Sequence, residues 1–304
     1  MENHDNDIGS LRQSLEIISN QIQSYTNEKP PDNDECIFHY TDAAGLIGIV
    51  NDNKIRATNF RFLNDPKEFM YGFGVIASLI KKEFSNNQDP LLAELLDGAC
   101  AGQHSIDLFV ACFSEDYDDL SQWRLYGDGG QGYSIGIRKS DLESLLDTSS
   151  AIPLRFRLSR VIYDREKQEA AFKMLINHTA ELARKLGKTS PNSITECKHF
   201  IGNEIMNLCA SIKHPAFHSE REWRLICLTS PRSENKISFR AGRFGLTPYI
   251  TFPDTHSVNG KNHRLKIHKV FYGAKHDHAM AFYALSRLIP SSTTTFFPSS
   301  CPIK

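Results

Sequence analysis

His39 closes an apolar, strand-like run, Cys36-Ile37-Phe38-His39-Tyr40, and is followed by Thr41 and Asp42, residue types that cap helices. A histidine placed there brings its imidazole close to a helix N-terminus, where an anionic group of a ligand is welcome. The same setting also suits a core or solvent-facing histidine. In Glu220-Arg221-Glu222-Trp223-Arg224, a strand's period of two puts Glu220, Glu222 and Arg224 on one face and Arg221 and Trp223 on the other. Three charges on one face line either solvent or a polar cleft, and the pattern alone leaves both open.

Two further stretches invite a chemical reading and lose most of it on inspection. Gly127-Asp-Gly-Gly-Gln-Gly132 is glycine-rich, but it follows a helical stretch and precedes a strand, the reverse of the order that phosphate-cradling loops need. A connection needing positive φ is the favoured reading over a loop lying against a ligand. Trp123 and Tyr126 lie three apart on a short helix, which points to core packing ahead of a stacking platform. No Gly-x-Ser-x-Gly motif is present, and no cysteine has a context that marks it as a nucleophile. His276-x-His278 and Cys197-x-His199 lack a second ligand pair at zinc-finger spacing, so no metal site is expected.

The elements that must position these residues follow from periodicity. A strand at 36–40, a short helix at 43–50 and a strand at 54–58 come first. A helix at 66–84, with Asn64-Asp65 supplying its cap, and a second at about 90–100 lead to a buried strand at 106–114. After a helical stretch at 117–126, strands at 133–138 and 154–163 precede two helices at about 164–187 and 192–212. The last third is strand-rich, with runs at 222–228, 236–240, 247–252 and 264–272 before a helix near 276–288. Mixed strands with helices between them, without regular βαβ alternation, predict an α+β fold on antiparallel sheet.

At the N-terminus Ile8, Leu11, Leu15, Ile18, Ile22 and Tyr25 recur at three- and four-residue steps, the seam of an amphipathic helix. Such a stripe either pairs with a second copy, giving a homodimer, or lies on the main domain. Pro30-Pro31 ends it, so residues 1–30 read as helix and linker and 31–304 as a single α+β domain. With 35 Lys+Arg against 36 Asp+Glu in 304 residues, the net charge of -1 argues against disorder and against tight, sequence-independent nucleic-acid binding. Seven cysteines without a Cys-x-x-Cys pair, no apolar run near the roughly 20 residues that span a bilayer, and a polar N-terminus predict a reduced, cytoplasmic protein with no membrane partner.

Phe38-His-Tyr-Thr41, Arg61 to Phe69, Cys112-Phe-Ser-Glu115, Ser121-Gln-Trp-Arg-Leu-Tyr-Gly127, Gly132-Tyr-Ser134 and His214-Pro-Ala-Phe-His-Ser-Glu-Arg-Glu-Trp-Arg224 occur in this order. Together they resemble the bacterial domain-of-unknown-function 2971 family, over a span from about residue 36 to Gly273. The first motif is in turn similar to the start of the ADP-ribosyltransferase superfamily, in which His-Tyr-Thr ends a strand and a short helix leads to a second. That resemblance implies a split antiparallel core of ADP-ribosyltransferase type, here with inserted helices and an N-terminal helix, and NAD as substrate. Carried over by position, it implies NAD binding by His39, Tyr40, Thr41 and Ser114, and a late-strand carboxylate at Glu222 or Glu220. Tyr133 becomes the aromatic that stacks on nicotinamide. About 80 residues inserted between the second and third motifs depart from the minimal transferase pattern.

The function so implied is an NAD-dependent ADP-ribosyltransferase or NAD-consuming effector, of the kind found among toxins and anti-phage defence proteins, with a protein or nucleic acid as acceptor. Two alternatives belong to other classes. One is a transferase-like fold without chemistry that binds a nucleotide, nucleic acid or protein. The other is a hydrolase in which Glu220, Glu222 and Asp65 hold a divalent ion.

Overall fold

A computed structural model describes Asn20 and residues 35–63, 67–86, 90–101, 107–147, 154–186, 191–229, 236–242, 245–253, 264–290 and 292–303. The expected N-terminal helix and Asp65 lie outside these. In chain order the elements are β1 (Cys36–Thr41), α1 (Ala43–Asp52), β2 (Ile55–Asn59), α2 (Lys67–Asn86), α3 (Pro90–Ala101), β3 (Asp107–Ser114), α4 (Leu120–Leu125), β4 (Tyr133–Arg138) and α5 (Lys139–Asp147). There follow β5 (Arg155–Arg160), α6 (Arg165–Leu186), α7 (Pro191–Ser211), β6 (Glu222–Thr229), β7 (Ser238–Gly242), β8 (Gly245–Phe252), β9 (Lys269–Tyr272), α8 (His278–Leu288) and β10 (Thr295–Pro298). The fold is mixed α+β. Among the described residues no helix is long and apolar enough to cross a membrane.

The chain divides into two compact units, one built from residues 63–108 and 159–218 and the other from 29–62, 109–158 and 219–304. The first is helical. Its helix α7 packs on α2, α3 and α6, burying Leu92, Leu95 and Leu96 of α3, Phe172, Leu175 and Ile176 of α6, and Cys197, Ile201, Ile205 and Leu208 of α7. These are the three- and four-residue steps that place side chains on one stripe. Gly72 lets α2 approach α7 closely, since a Cβ there would come within 2.8 Å of the Cys209 Cα.

The second unit is a sheet with strand order β10-β9-β4-β1-β3-β2-β8-β7, while β6 joins β3 to β5. The β10–β9 pair is parallel, and β9–β4, β4–β1, β1–β3, β3–β2, β2–β8 and β8–β7 are antiparallel. One face carries the main core, with Ile37, Ile55, Ala57, Phe109, Phe113, Ile135, Ile137, Trp223, Leu225, Ile250 and Phe252 covered by Leu46 and Ile49 of α1, Leu142 and Leu145 of α5 and Leu285 of α8. On the other face Phe38 and Tyr40 join Trp123 and Phe271 in a second cluster. The helix α1 starts where the sequence placed it, because the Asp42 carboxylate accepts from the Gly45 N–H at 2.6 Å.

Trp123 is a core residue. It is fully buried, packs edge-on against Tyr40 at 5.1 Å and donates its indole N–H to Asp118 at 2.8 Å. The glycine loop is a turn: Asp128, Gly129 and Gly130 have φ of 50°, 60° and 89°, and the C-terminal Ile303 side chain closes over Gly130. Asp118 anchors the same tail, accepting hydrogen bonds from the Ser299 and Ser300 hydroxyls and from the Ser300 N–H.

Candidate functional site

His39 lies on β1, a half-buried residue on the same side of the strand as Ile37 and Thr41. Here β1 meets β3 at Phe38 and Ser114, and beside that pair the His39 imidazole spans from β1 to the Cys112 carbonyl, with Nδ1 at 2.8 Å from the oxygen. A carbonyl can only accept, so Nδ1 carries the proton and donates. Burial holds the His39 pKa below its ordinary value; the Cys112 hydrogen bond works against this, and the positive charge of Arg240 adds to it. The ring is therefore neutral at pH 7, and Nε2 keeps a lone pair as an acceptor.

This has a consequence for stability. The unfolded chain takes up a proton on His39 as the pH falls below about 6.5, and the native state resists it. Stability therefore declines from that pH downward until the depressed native pKa is reached, by up to about 1.4 kcal/mol per pH unit from this group. We expect His39→Asn, which keeps a donor toward Cys112, to have a shallower loss of unfolding free energy between pH 6.5 and 5 than the wild type. Equal slopes in urea titrations at the two pH values would count against it.

The last residues of β3 also receive the start of β6. Ser114 is buried; its hydroxyl donates to the Glu220 carbonyl at 2.8 Å and accepts from the Asp116 N–H at 3.0 Å. Glu115 N–H donates to the Arg221 carbonyl at 3.0 Å, and its carboxylate takes the Trp223 indole N–H at 3.0 Å. The backbones of β1, of β3 and of the start of β6 thus meet at the C-terminal end of β3, but the side chains divide between two faces: His39 lies on the core side with Ile37 and Ile135 and against Phe113, whereas Ser114 and Glu222 alternate with the core residues Phe113 and Trp223 and turn to the other side. The Ser114 hydroxyl, occupied by two backbone partners, serves as a tie between strands.

The expected common face of Glu220, Glu222 and Arg224 does not form. Glu220 ends a short 3-10 turn, Arg221 takes a positive φ of 42°, and the strand begins only at Glu222. The period of two holds only in continuous extended backbone, so Glu220 leaves the register, whereas Glu222 and Arg224 keep it. These two are also not solvated: each is 5% exposed, and Arg224 holds Glu222 in a two-pronged pair, Nε to Oε1 at 2.7 Å and Nη2 to Oε2 at 3.0 Å. Arg221 instead points back to pair with Asp116.

The remaining expected ligand residues divide. Tyr40 is buried, with its hydroxyl donating to the Asp116 carbonyl at 2.9 Å and accepting from the Asp119 N–H at 3.0 Å, and desolvation by burial pushes its pKa up. It secures the loop after β3. Thr41 is half-buried and pairs with Tyr133 across β1 and β4. Tyr133 is half-buried, its pKa raised by burial, and its ring packs on His276 at 5.2 Å.

Arg56, Thr58, Arg240 and Tyr249 were missed by motif reasoning, because each is unremarkable in its own stretch. Strand pairing alone gathers them: Thr58 lies opposite Tyr249 and Tyr249 opposite Ser238, on the face turned away from Ile55 and Ala57. Among the described residues no group of three or more His, Cys, Asp or Glu side chains is arranged to hold a metal ion.

No curated protein and no solved structure matches this chain. Residues 122–225 match the family model described as "Protein of unknown function (DUF2971)", a stretch that contains the Trp123, Gly132-Tyr-Ser134 and His214 to Arg224 motifs, and the resemblance to that family read from those motifs is supported over this stretch.

Proposed function

We propose that the sheet unit binds NAD at the C-terminal end of β3 and breaks its nicotinamide–ribose bond, passing the ADP-ribosyl group to water or to a protein or nucleic-acid acceptor. The observation that supports this reading is that the backbone segments bearing the three positions implied by the transferase resemblance, His39, Ser114 and Glu220–Glu222, adjoin one another at the end of β3 although they are far apart in the chain. The neutral His39 offers Nε2 as an acceptor, which suits a ribose hydroxyl better than a phosphate. Glu222 supplies a carboxylate whose negative charge Arg224 stabilises. When the glycosidic bond breaks, its electron pair leaves with nicotinamide, and a nearby carboxylate stabilises the positive charge left on the ribose.

Incubating the purified full-length protein with NAD and measuring nicotinamide by chromatography tests this. We expect release, and a loss of about 100-fold in rate in whichever of Glu220→Gln and Glu222→Gln removes the working carboxylate. Full activity in both variants, or no release under any acceptor condition, overturns the transfer reading. A second reading, a fold that binds a nucleotide without chemistry, is favoured by one observation: both Glu222 oxygens already face Arg224. It predicts NAD binding by calorimetry with no release.

A further inference from the structure

The helical unit holds an open cavity of about 380 Å³ between α2 and α6. The most buried residue of its wall is Gln168 of α6, which is 1% exposed and fixed by three hydrogen bonds. Both hydrogens of its amide are spent, on the Ile162 and Lys213 carbonyls at 2.7 and 2.8 Å, so its oxygen can only accept and the Tyr71 hydroxyl at 2.8 Å must donate to it. Tyr71 of α2, held edge-on against His214 at 5.5 Å, therefore offers a ligand its oxygen lone pairs and no proton. Ser78, also on the wall, has spent its proton in the same way on the Val75 carbonyl at 2.7 Å.

Two charged residues of α6 border the same space. Arg165, at the first position of the helix, has no ion-pair partner among the described residues, and a cation there gains nothing from the helix, whose N-terminal end favours negative charge. Glu169 stands one turn further along and pairs with the exposed Lys173 at 3.7 Å, a contact that contributes little. Residues four apart on a helix are neighbours, with about 5–6 Å between their Cβ atoms. Gly74 lines the cavity from α2. Glycine weakens a helix interior relative to alanine, and packing does not require it here: a Cβ on Gly74 would meet nothing within 4 Å, whereas one on Gly72 would collide with Cys209 of α7. The space that Gly74 leaves open belongs to the cavity.

We infer that this cavity binds a small zwitterion, a free amino acid with an uncharged side chain, its carboxylate on the Arg165 guanidinium and its ammonium on Glu169 and the Tyr71 oxygen. Guanidinium and carboxylate match as two-pronged partners, and an ammonium needs acceptors alone, which is what Glu169 and the two hydroxyls offer. In an α-amino acid both charges sit on one carbon, which suits partners one helical turn apart. A plain anion would meet Glu169 and hydroxyls that have no proton to give, and a neutral polyol would leave Arg165 without a counterion. The volume falls in the range of about 300–1,000 Å³ that small-molecule sites occupy. The inference concerns the helical unit and is independent of the NAD reading.

Calorimetric titration and thermal melting of the full-length protein with L-alanine, L-leucine and L-glutamine, each at millimolar concentration, test it. At least one is expected to bind and to raise the melting temperature, as a ligand of the native state does. Its carboxamide and its N-acetyl derivative should each bind about tenfold or more weakly, because each removes one of the two charges. Arg165→Gln should bind the free amino acid and its carboxamide alike, and Glu169→Gln should lose the preference for a free over an acetylated amine; both positions are exposed, so the fold is kept. Gly74→Leu should abolish binding by filling the cavity, while melting no lower than the wild type, since leucine is the better helix former. Absence of binding by all three amino acids overturns the proposal. An affinity unchanged in both Arg165→Gln and Gly74→Leu does so too, because it places the bound molecule elsewhere. An N-acetyl derivative that binds as tightly as its parent overturns it as well, leaving a site for anions only.

Discussion

Glu222→Gln is expected to lower the unfolding free energy by about 3–5 kcal/mol, apart from any effect on catalysis. The reason is the state of its partner. Arg224 is 5% exposed and bound to both Glu222 oxygens, so removing the carboxylate charge leaves a guanidinium in the interior without it. In water an exposed pair of this kind contributes at most about 1 kcal/mol, but a buried cation cannot recover its hydration when the partner is lost. The substitution that looks cleanest for testing a catalytic carboxylate is therefore confounded at this position. Glu222→Gln/Arg224→Met removes both charges and should recover most of the stability, because a well-packed apolar side chain replaces the pair at little cost. If the double variant regains its denaturant midpoint but releases no nicotinamide, the activity loss belongs to the carboxylate. If the single variant unfolds at the wild-type denaturant midpoint, the pair is not the buried element described above.

Glu68→Gln should have a similar effect in the helical unit, about 3–5 kcal/mol. Lys213 is 2% exposed, its Nζ lies 2.9 Å from the Glu68 carboxylate, and it sits 4.9 Å from the centre of the Phe217 ring. The backbone around it is equally constrained. Gln168, itself buried, donates to the carbonyls of both Ile162 and Lys213, at 2.7 and 2.8 Å, and accepts from the Tyr71 hydroxyl at 2.8 Å. Losing the Glu68 charge takes a carboxylate away from an ammonium that is 2% exposed. Urea unfolding followed by circular dichroism measures it. Glu68→Gln/Lys213→Met should restore much of the loss, and a Glu68→Gln midpoint equal to the wild type would show that Lys213 needs no carboxylate.

Where the structure agrees with local patterns, the cause is local. Asp42 capping α1, the three- and four-residue apolar steps of α3, α6 and α7, and the glycines with positive φ after α4 all depend on interactions within a few residues. Other elements leave no clear local pattern. Helix α5 follows β4 without a break, in a stretch between the expected strands at 133–138 and 154–163 for which the sequence predicts no element, although its Leu142 and Leu145 are core residues. Strand β10 is four residues long, ends in Pro298 and exists by parallel pairing with β9, a partner that no local pattern names. The run expected at 264–272 shortens to β9, Lys269–Tyr272.

The sequence by itself determined the α+β class, the order of most elements, the family motifs and the place of Trp123 in a core, because propensity, capping and periodicity act over one or two turns of chain. Tertiary structure alone decided the electrostatics of the candidate site. Whether Glu222 faces water or Arg224 depends on what covers β6, and the positive φ of Arg221 that removes Glu220 from that face is set by the ties from Ser114 and Glu115. The neutral tautomer of His39 follows from a carbonyl 73 positions away, and the meeting of Arg240 with Thr58 spans 182 positions. Charge and protonation respond to distance in space and to burial, quantities that strand pairing creates and that residue order does not contain.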